Sequence, residues 1–110
     1  MTPTQFSAMH RLSRTEVSHH LAGAPAHLLL MYPDRSVEEP VVGPDLSAGH
    51  RPQVVKRAGV WQGNRTLGAW TLLGTTMAPG WDWSCFELGD RAALLREWPG
   101  VTERIVELTR

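Results

Sequence analysis

The sequence is poor in several features that would narrow its function early. Its 110 residues hold one cysteine, Cys85, which excludes an internal disulfide and any multi-cysteine zinc site and fits a reducing compartment. Lys+Arg and Asp+Glu balance at 11 each, for a formal net charge of zero with both signs interspersed. No basic face for nucleic acid or for an anionic membrane surface is expected. The N-terminal stretch carries Arg11, Arg14 and Glu16 but no apolar core of the kind a signal peptide needs. The longest apolar run, Leu28 to Tyr32, is far too short to cross a bilayer. Internal repeats and low-complexity linkers are absent. The expectation is a soluble cytoplasmic domain spanning residues 1–110 around one modest core.

Two features stand out from this plain background. The chain has 5 tryptophans, and Trp61, Trp70, Trp81 and Trp83 fall close together. Clustered tryptophans most often build a core, and they also line ligand pockets, which makes Trp61 and Trp70 candidates for substrate contact. The second feature is the stretch His10 to Gly23, HRLSRTEVSHHLAG, where His10, His19, His20 and Glu16 lie close together in sequence. No other segment concentrates as many groups able to move a proton or hold a metal.

The apolar patterning is mostly that of short strands. Phe6 to Leu12 alternates loosely, and Ser13-Arg14 reads as a turn. Thr15 to Leu21 reads as a strand with Glu16, Ser18 and His20 on one face and Val17, His19 and Leu21 on the other. Ala26 to Tyr32 is nearly all apolar and is expected to be buried. Val37 to Val42 suits an edge strand or loop, and Pro52 to Val60 alternates without a clean inside face. Gly63-Asn64 predicts a hairpin turn between Trp61 and Leu67. Leu67 to Met77 and Trp81 to Leu88 complete the strand set. After Gly89 the period changes: Asp90 is an N-cap, Leu94, Leu95 and Trp98 share a helical face, and Pro99-Gly100 ends that helix. Val101, Ile105 and Leu108 continue at helical spacing. Short strands with turn chemistry between them predict a β-sandwich or barrel.

With these segments placed, three blocks resemble a known family. His10-Arg11, Glu16, His19 and Gly23-Ala24-Pro25 form the first. Pro52-Gln53 with Ala58-Gly59-Val60-Trp61-Gln62 form the second. Thr71 to Asp90, TLLGTTMAPGWDWSCFELGD, is the third and most specific. Together they are similar to the cupins, in the small DUF985-like group of bacterial, plant and fungal proteins that resembles the RmlC-type sugar-nucleotide epimerases. The resemblance implies an all-β cupin jelly-roll barrel with a short C-terminal helical segment over about residues 90–110. This chain departs from the family at Thr15, Ser18 and Arg57, where relatives tend to carry Asp, Trp and Pro. An inward-facing Ser18 would enlarge the cavity. Relatives also begin with a further helix and strand before the equivalent of Phe6, and a homodimer that covers the exposed edges is expected.

Metal-binding cupins use a His-x-His pair, a following Glu and a third His. Here Glu16 stands at the family spacing before Gly23, but His10 is flanked by Ala8 and Leu12, and Gln62 occupies the third-histidine place. If a divalent metal is present, His10, Glu16 and His19 are its ligands. The expectation is that no cofactor is required. His10, Glu16, a second histidine and Gln62 would then perform general acid–base chemistry of isomerase, epimerase or cyclase type on a small carbonyl compound, with Gln62 donating to a developing enolate oxygen. Arg11 is a candidate anion holder. The resemblance points to His19 as the second histidine, whereas parity with Glu16 points to His20. The alternatives are a non-catalytic metabolite-binding module and a metal-dependent lyase or oxygenase. Neither nucleic acid nor a membrane is an expected partner.

Overall fold

A computed structural model describes residues 1–110. Nine strands come first: β1 (Phe6–Leu12), β2 (Glu16–Gly23), β3 (Ala26–Met31), β4 (Val37–Glu38), β5 (Val41–Val42), β6 (Gln53–Lys56), β7 (Trp61–Thr66), β8 (Thr71–Met77) and β9 (Phe86–Leu88). Two helices follow, α1 (Arg91–Glu97) and α2 (Thr102–Glu107). One sheet runs in the order β4-β3-β7-β1-β9, with β5 also on β3, and the other in the order β6-β2-β8. Strand pairing within both is antiparallel. The architecture is the jelly roll expected from the sequence, with helices only at the end. No helix is long and apolar enough to cross a membrane.

At β3 the larger sheet is buried on both faces, which is why that strand is apolar except for His27. Its Leu29 and Met31 join Met9 and Trp61 against Leu94 and Trp98 of the α1 region and Ile105 and Leu108 of the α2 region. Its Leu28 and Leu30 point the other way and pack between the sheets with Val42, Val54 and Val60. Helix α1 starts where expected, with the Asp90 carboxylate accepting from the Ala93 N–H at 3.0 Å.

Several local expectations are corrected. Gly63-Asn64 makes no hairpin; both lie inside β7, paired with Leu29 and Leu28 of β3, and Asn64 also pairs with Ser7 of β1. Glycine is needed at 63 for close approach rather than for a turn, since a Cβ there would sit 2.6 Å from Met9 Sδ and 3.0 Å from the Ser7 carbonyl oxygen. The bend comes later, at residues 67–69, so β8 begins only at Thr71. Trp81 to Leu88 is not one strand, because a 3-10 turn over Trp83–Cys85 precedes the short β9. Finally, β6 does have an inside face, formed by Val54 and Lys56.

Candidate functional site

Between the two sheets, beside the Leu28/Leu30 cluster, lies a cavity of about 320 Å³. Strand β1 supplies Ser7 and His10, β2 Glu16 and Ser18, β6 Lys56, β7 Asn64, and β8 Thr71, Leu72, Leu73 and Thr75, with Met1 also in the wall. A bulge in β1 makes the first pair possible. Ser7 pairs with Asn64 and His10 with Gln62, so three steps of β1 oppose two of β7. Ser7 and His10 therefore both face the cavity while Met9, between them, packs against the helices.

The charged centre is a buried ion pair. Lys56 Nζ contacts Glu16 Oε1, with side chains only 2% and 11% exposed. Burial pushes the Lys56 amine below its ordinary range, and the Glu16 carboxylate opposes that push. His10 is held in one tautomer: its Nδ1–H donates to the Ala8 carbonyl oxygen at 2.7 Å, which leaves Nε2 as the basic atom. Its ring stacks on Phe86 with centroids 5.4 Å apart. Burial lowers the His10 pKa; the Ala8 bond opposes this, nearby Lys56 adds to the lowering, and Glu16 works against it. Of the buried polar atoms without a partner within the chain, two belong to residues in or next to this site, Ser18 Oγ and Gln62 Oε1. Ser18 lines the cavity, and Gln62 is buried as the cross-strand partner of His10.

The structure thus gathers His10, Glu16 and Ser18 and places the other sequence candidates elsewhere. His19 is on the outer face of β2, with Nε2 3.0 Å from Thr76 Oγ1. His20 shares the face of Glu16 and Ser18, as parity implies, but its Nε2 is directed to the Gly23 and Ala24 carbonyls at 3.1 and 3.2 Å, and it does not line the cavity. Arg11 pairs with Glu87 at 2.8 Å and lies over the Trp61 ring, whose indole belongs to the helix-facing core. Trp70 is half-exposed and packs at Gly23, outside the cavity. Lys56 is the residue that patterning missed. A simple signal was available: it is the only lysine, so the other 10 of the 11 basic side chains are arginine.

The donor set does not fit the metal site that the resemblance offered as an alternative. His19 faces away from His10 and Glu16, and no three His, Cys, Asp or Glu side chains lie close enough to share an ion. The Glu16 carboxylate is already neutralised by an ammonium, which would repel a divalent cation bound to the same oxygens.

A jelly-roll barrel with a polar, His- and Glu-bearing cavity between its sheets is the architecture of a cupin. The chain belongs to that superfamily: the sequence family described as Cupin superfamily (DUF985) matches residues 1–89. Among solved structures, protein SO0799 from Shewanella oneidensis is similar, with a TM-score of 0.94 and 28% sequence identity over 100% of this chain and 70% of that one. A hypothetical protein from Leishmania major gives a TM-score of 0.87 at 22% identity, over 98% of this chain and 71% of that one. A mutant of Bacillus subtilis oxalate decarboxylase gives 0.63 at 9% identity, over 94% and 28%. The last two are likenesses of fold alone. No curated protein matches the sequence.

Proposed function

We propose that this cupin is an enzyme of isomerase, epimerase or cyclase type that moves a proton beside the carbonyl of a small hydroxylated metabolite, without a required metal. The observation that carries this reading is the convergence of His10 and the Glu16–Lys56 pair on one cavity. His10 is the base. Its Nδ1–H is fixed on Ala8, and its lowered pKa keeps the ring neutral, with Nε2 free to accept a proton, at neutral pH. The charge that develops on the carbonyl oxygen is met by Lys56, which Glu16 holds in place. Ser18 Oγ supplies an unpartnered hydroxyl for a ligand group, and Gln62 stands buried beside His10.

The test is deuterium wash-in from heavy water into a panel of aldoses, ketoses and 2-oxo acids, followed by proton NMR. Exchange at the carbon next to the carbonyl, lowered about 10²-fold or more in His10→Gln, is the expected result. Saturable binding with no exchange in any panel compound would instead assign the cavity to a metabolite-binding module, a role its hydroxyls on Ser7, Ser18 and Thr75 also suit.

We also infer a homodimer, because Trp81, Trp83 and Leu88 lie exposed around the β9 edge of the larger sheet. The buried, unpaired Cys85 is in keeping with a reducing cytoplasm.

A further inference from the structure

Lysine occurs once in this chain, and it occurs inside the cavity. The other 10 basic side chains are arginine, and several of them form exposed pairs such as Arg11–Glu87, Arg35–Glu97 and Arg51–Glu38. If position 56 needed only a positive charge against Glu16, arginine would serve, since its planar fork pairs with a carboxylate through two hydrogen bonds. What lysine has and arginine lacks is an amine that can give up its proton and become a nucleophile. The surroundings favour that loss. Lys56 is 3% exposed and burial lowers its pKa; the Glu16 carboxylate in contact with Nζ opposes that shift but stands as the acceptor for the proton. Passing one proton from Nζ to Glu16 removes two buried charges at once, and buried charges are costly.

We propose that Lys56 captures the carbonyl carbon of a small aldehyde or ketone as an imine, with Glu16 as its proton carrier. The proposal rests on the proton-transfer reading of the same cavity and replaces a charge contact there by a covalent bond. Nζ, having passed a proton to Glu16, attacks the carbonyl carbon. The carbonyl π pair goes to oxygen, which Glu16 protonates, and a second proton leaves nitrogen for Glu16 to give the neutral carbinolamine. The hydroxyl then departs with that proton as water while the nitrogen lone pair forms the carbon–nitrogen double bond. In sum, one carbonyl compound and the protonated lysine give one protonated imine and one water, with no change of oxidation state. The iminium nitrogen then accepts the electron pair released when His10 removes the neighbouring C–H proton, forming an enamine. Reprotonation and hydrolysis return the amine. The cationic imine takes the place of a metal as the electron sink.

The experiment is reductive trapping on the full chain. Glycolaldehyde, dihydroxyacetone or pyruvate is added with sodium cyanoborohydride, and peptide mapping by mass spectrometry separates an adduct at Lys56 from one at the Met1 α-amine. A free lysine peptide in the same tube normalises reagent reactivity. The key comparison is folded protein against protein in urea. A lysine buried only for structure labels more slowly when folded, whereas an amine prepared for capture labels faster. We expect about tenfold faster labelling of Lys56 in the folded state, where Nζ lines the cavity and Glu16 is in place to take its proton. Lys56→Arg should abolish the adduct, with folding checked by circular dichroism; if that variant does not fold, the wild-type comparison decides alone. Adducts confined to Met1, or slower labelling of Lys56 in the folded protein, overturn the proposal. The two readings fail separately: trapping at Lys56 without deuterium exchange keeps the imine and sinks the isomerase, and exchange without trapping does the reverse.

Discussion

His10 sits among opposing influences whose balance can be measured. Desolvation is the largest and lowers its pKa below the ordinary 6.5; the Ala8 carbonyl and Glu16 work against it, and Lys56 works with it. His27, packed near Glu39, is shifted in the same direction with burial again the leading cause. In an unfolded chain both rings take a proton near pH 6.5, whereas in the folded state they stay neutral to lower pH. The unfolded state therefore binds more protons in that window. Stability is full above about pH 6.5 and falls as pH drops toward the folded values. The carboxylates with lowered pKa, Asp34, Glu38, Asp45 and Asp82, act further down, below the ordinary carboxylate range near 4. We expect the urea midpoint to fall between about pH 7 and pH 5, with a shallower fall in His10→Gln because His27 alone remains. A wild-type midpoint that does not move across that range would show that neither ring is held neutral. At this scale the sequence was partly legible. His10 and Glu16 stand out as titratable groups in an otherwise plain stretch. Lys56 did not, because a charged residue on the inner face of β6 breaks the binary pattern by which inner faces are recognised.

Strand β7 shows what patterning reads and what it misses. A Gly-Asn pair between apolar segments is a sound hairpin signal, yet Gly63 serves the packing of β1 against β7 next to the β1 bulge. The same glycine preference arises from positive φ in turns and from lack of space in sheets, and one sequence cannot separate these causes. A direct consequence is that Gly63→Ala should destabilise the fold by about 1–3 kcal/mol, since its Cβ would clash with Met9 Sδ and the Ser7 carbonyl. Because Ser7 and His10 flank Met9, the variant should also disturb the cavity. Thermal unfolding measures the first effect, and the His10 imidazole shifts in NMR report the second. An unchanged melting temperature would mean that β1 and β7 have slack at this crossing. The helical end was fully legible, by contrast, because Asp90, the Leu94/Trp98 spacing and Pro99-Gly100 are local signals that no distant contact overrides. The parity of β2 was legible too. Why His20 does not line the cavity was not, since its Nε2 is directed to the carbonyls of the following turn and a bulge then shifts the register.

At the scale of the molecule, the 3-10 turn over Trp83–Cys85 and β9 form an aromatic outcrop. Trp83 is 77% exposed and Trp81 46%, their rings edge to face at 4.7 Å, and both contact Phe86, which in turn stacks on His10. Large apolar side chains this exposed and this close together mark a contact surface more often than a free one. The two tryptophans offer on the order of 300 Å² between them, short of the roughly 800 Å² per partner of a stable interface, so the neighbouring Leu88 and the open β9 edge must contribute. Ion pairs rim the patch, Arg14–Asp82 at 3.1 Å and Arg11–Glu87 at 2.8 Å, in the polar-edged arrangement usual for interfaces. Across a two-fold axis such a patch meets itself. We therefore expect a dimer in sedimentation equilibrium at micromolar concentration and a monomer for Trp83→Glu. Because Trp83 is mostly exposed within one chain, the substitution should leave circular dichroism unchanged. Its effect should also reach the site, since Phe86 connects the outcrop to His10, and a weakened dimer should broaden or shift the His10 resonances. A wild-type chain that stays monomeric through the micromolar range would remove the homodimer reading and leave the tryptophans as a surface for some other contact.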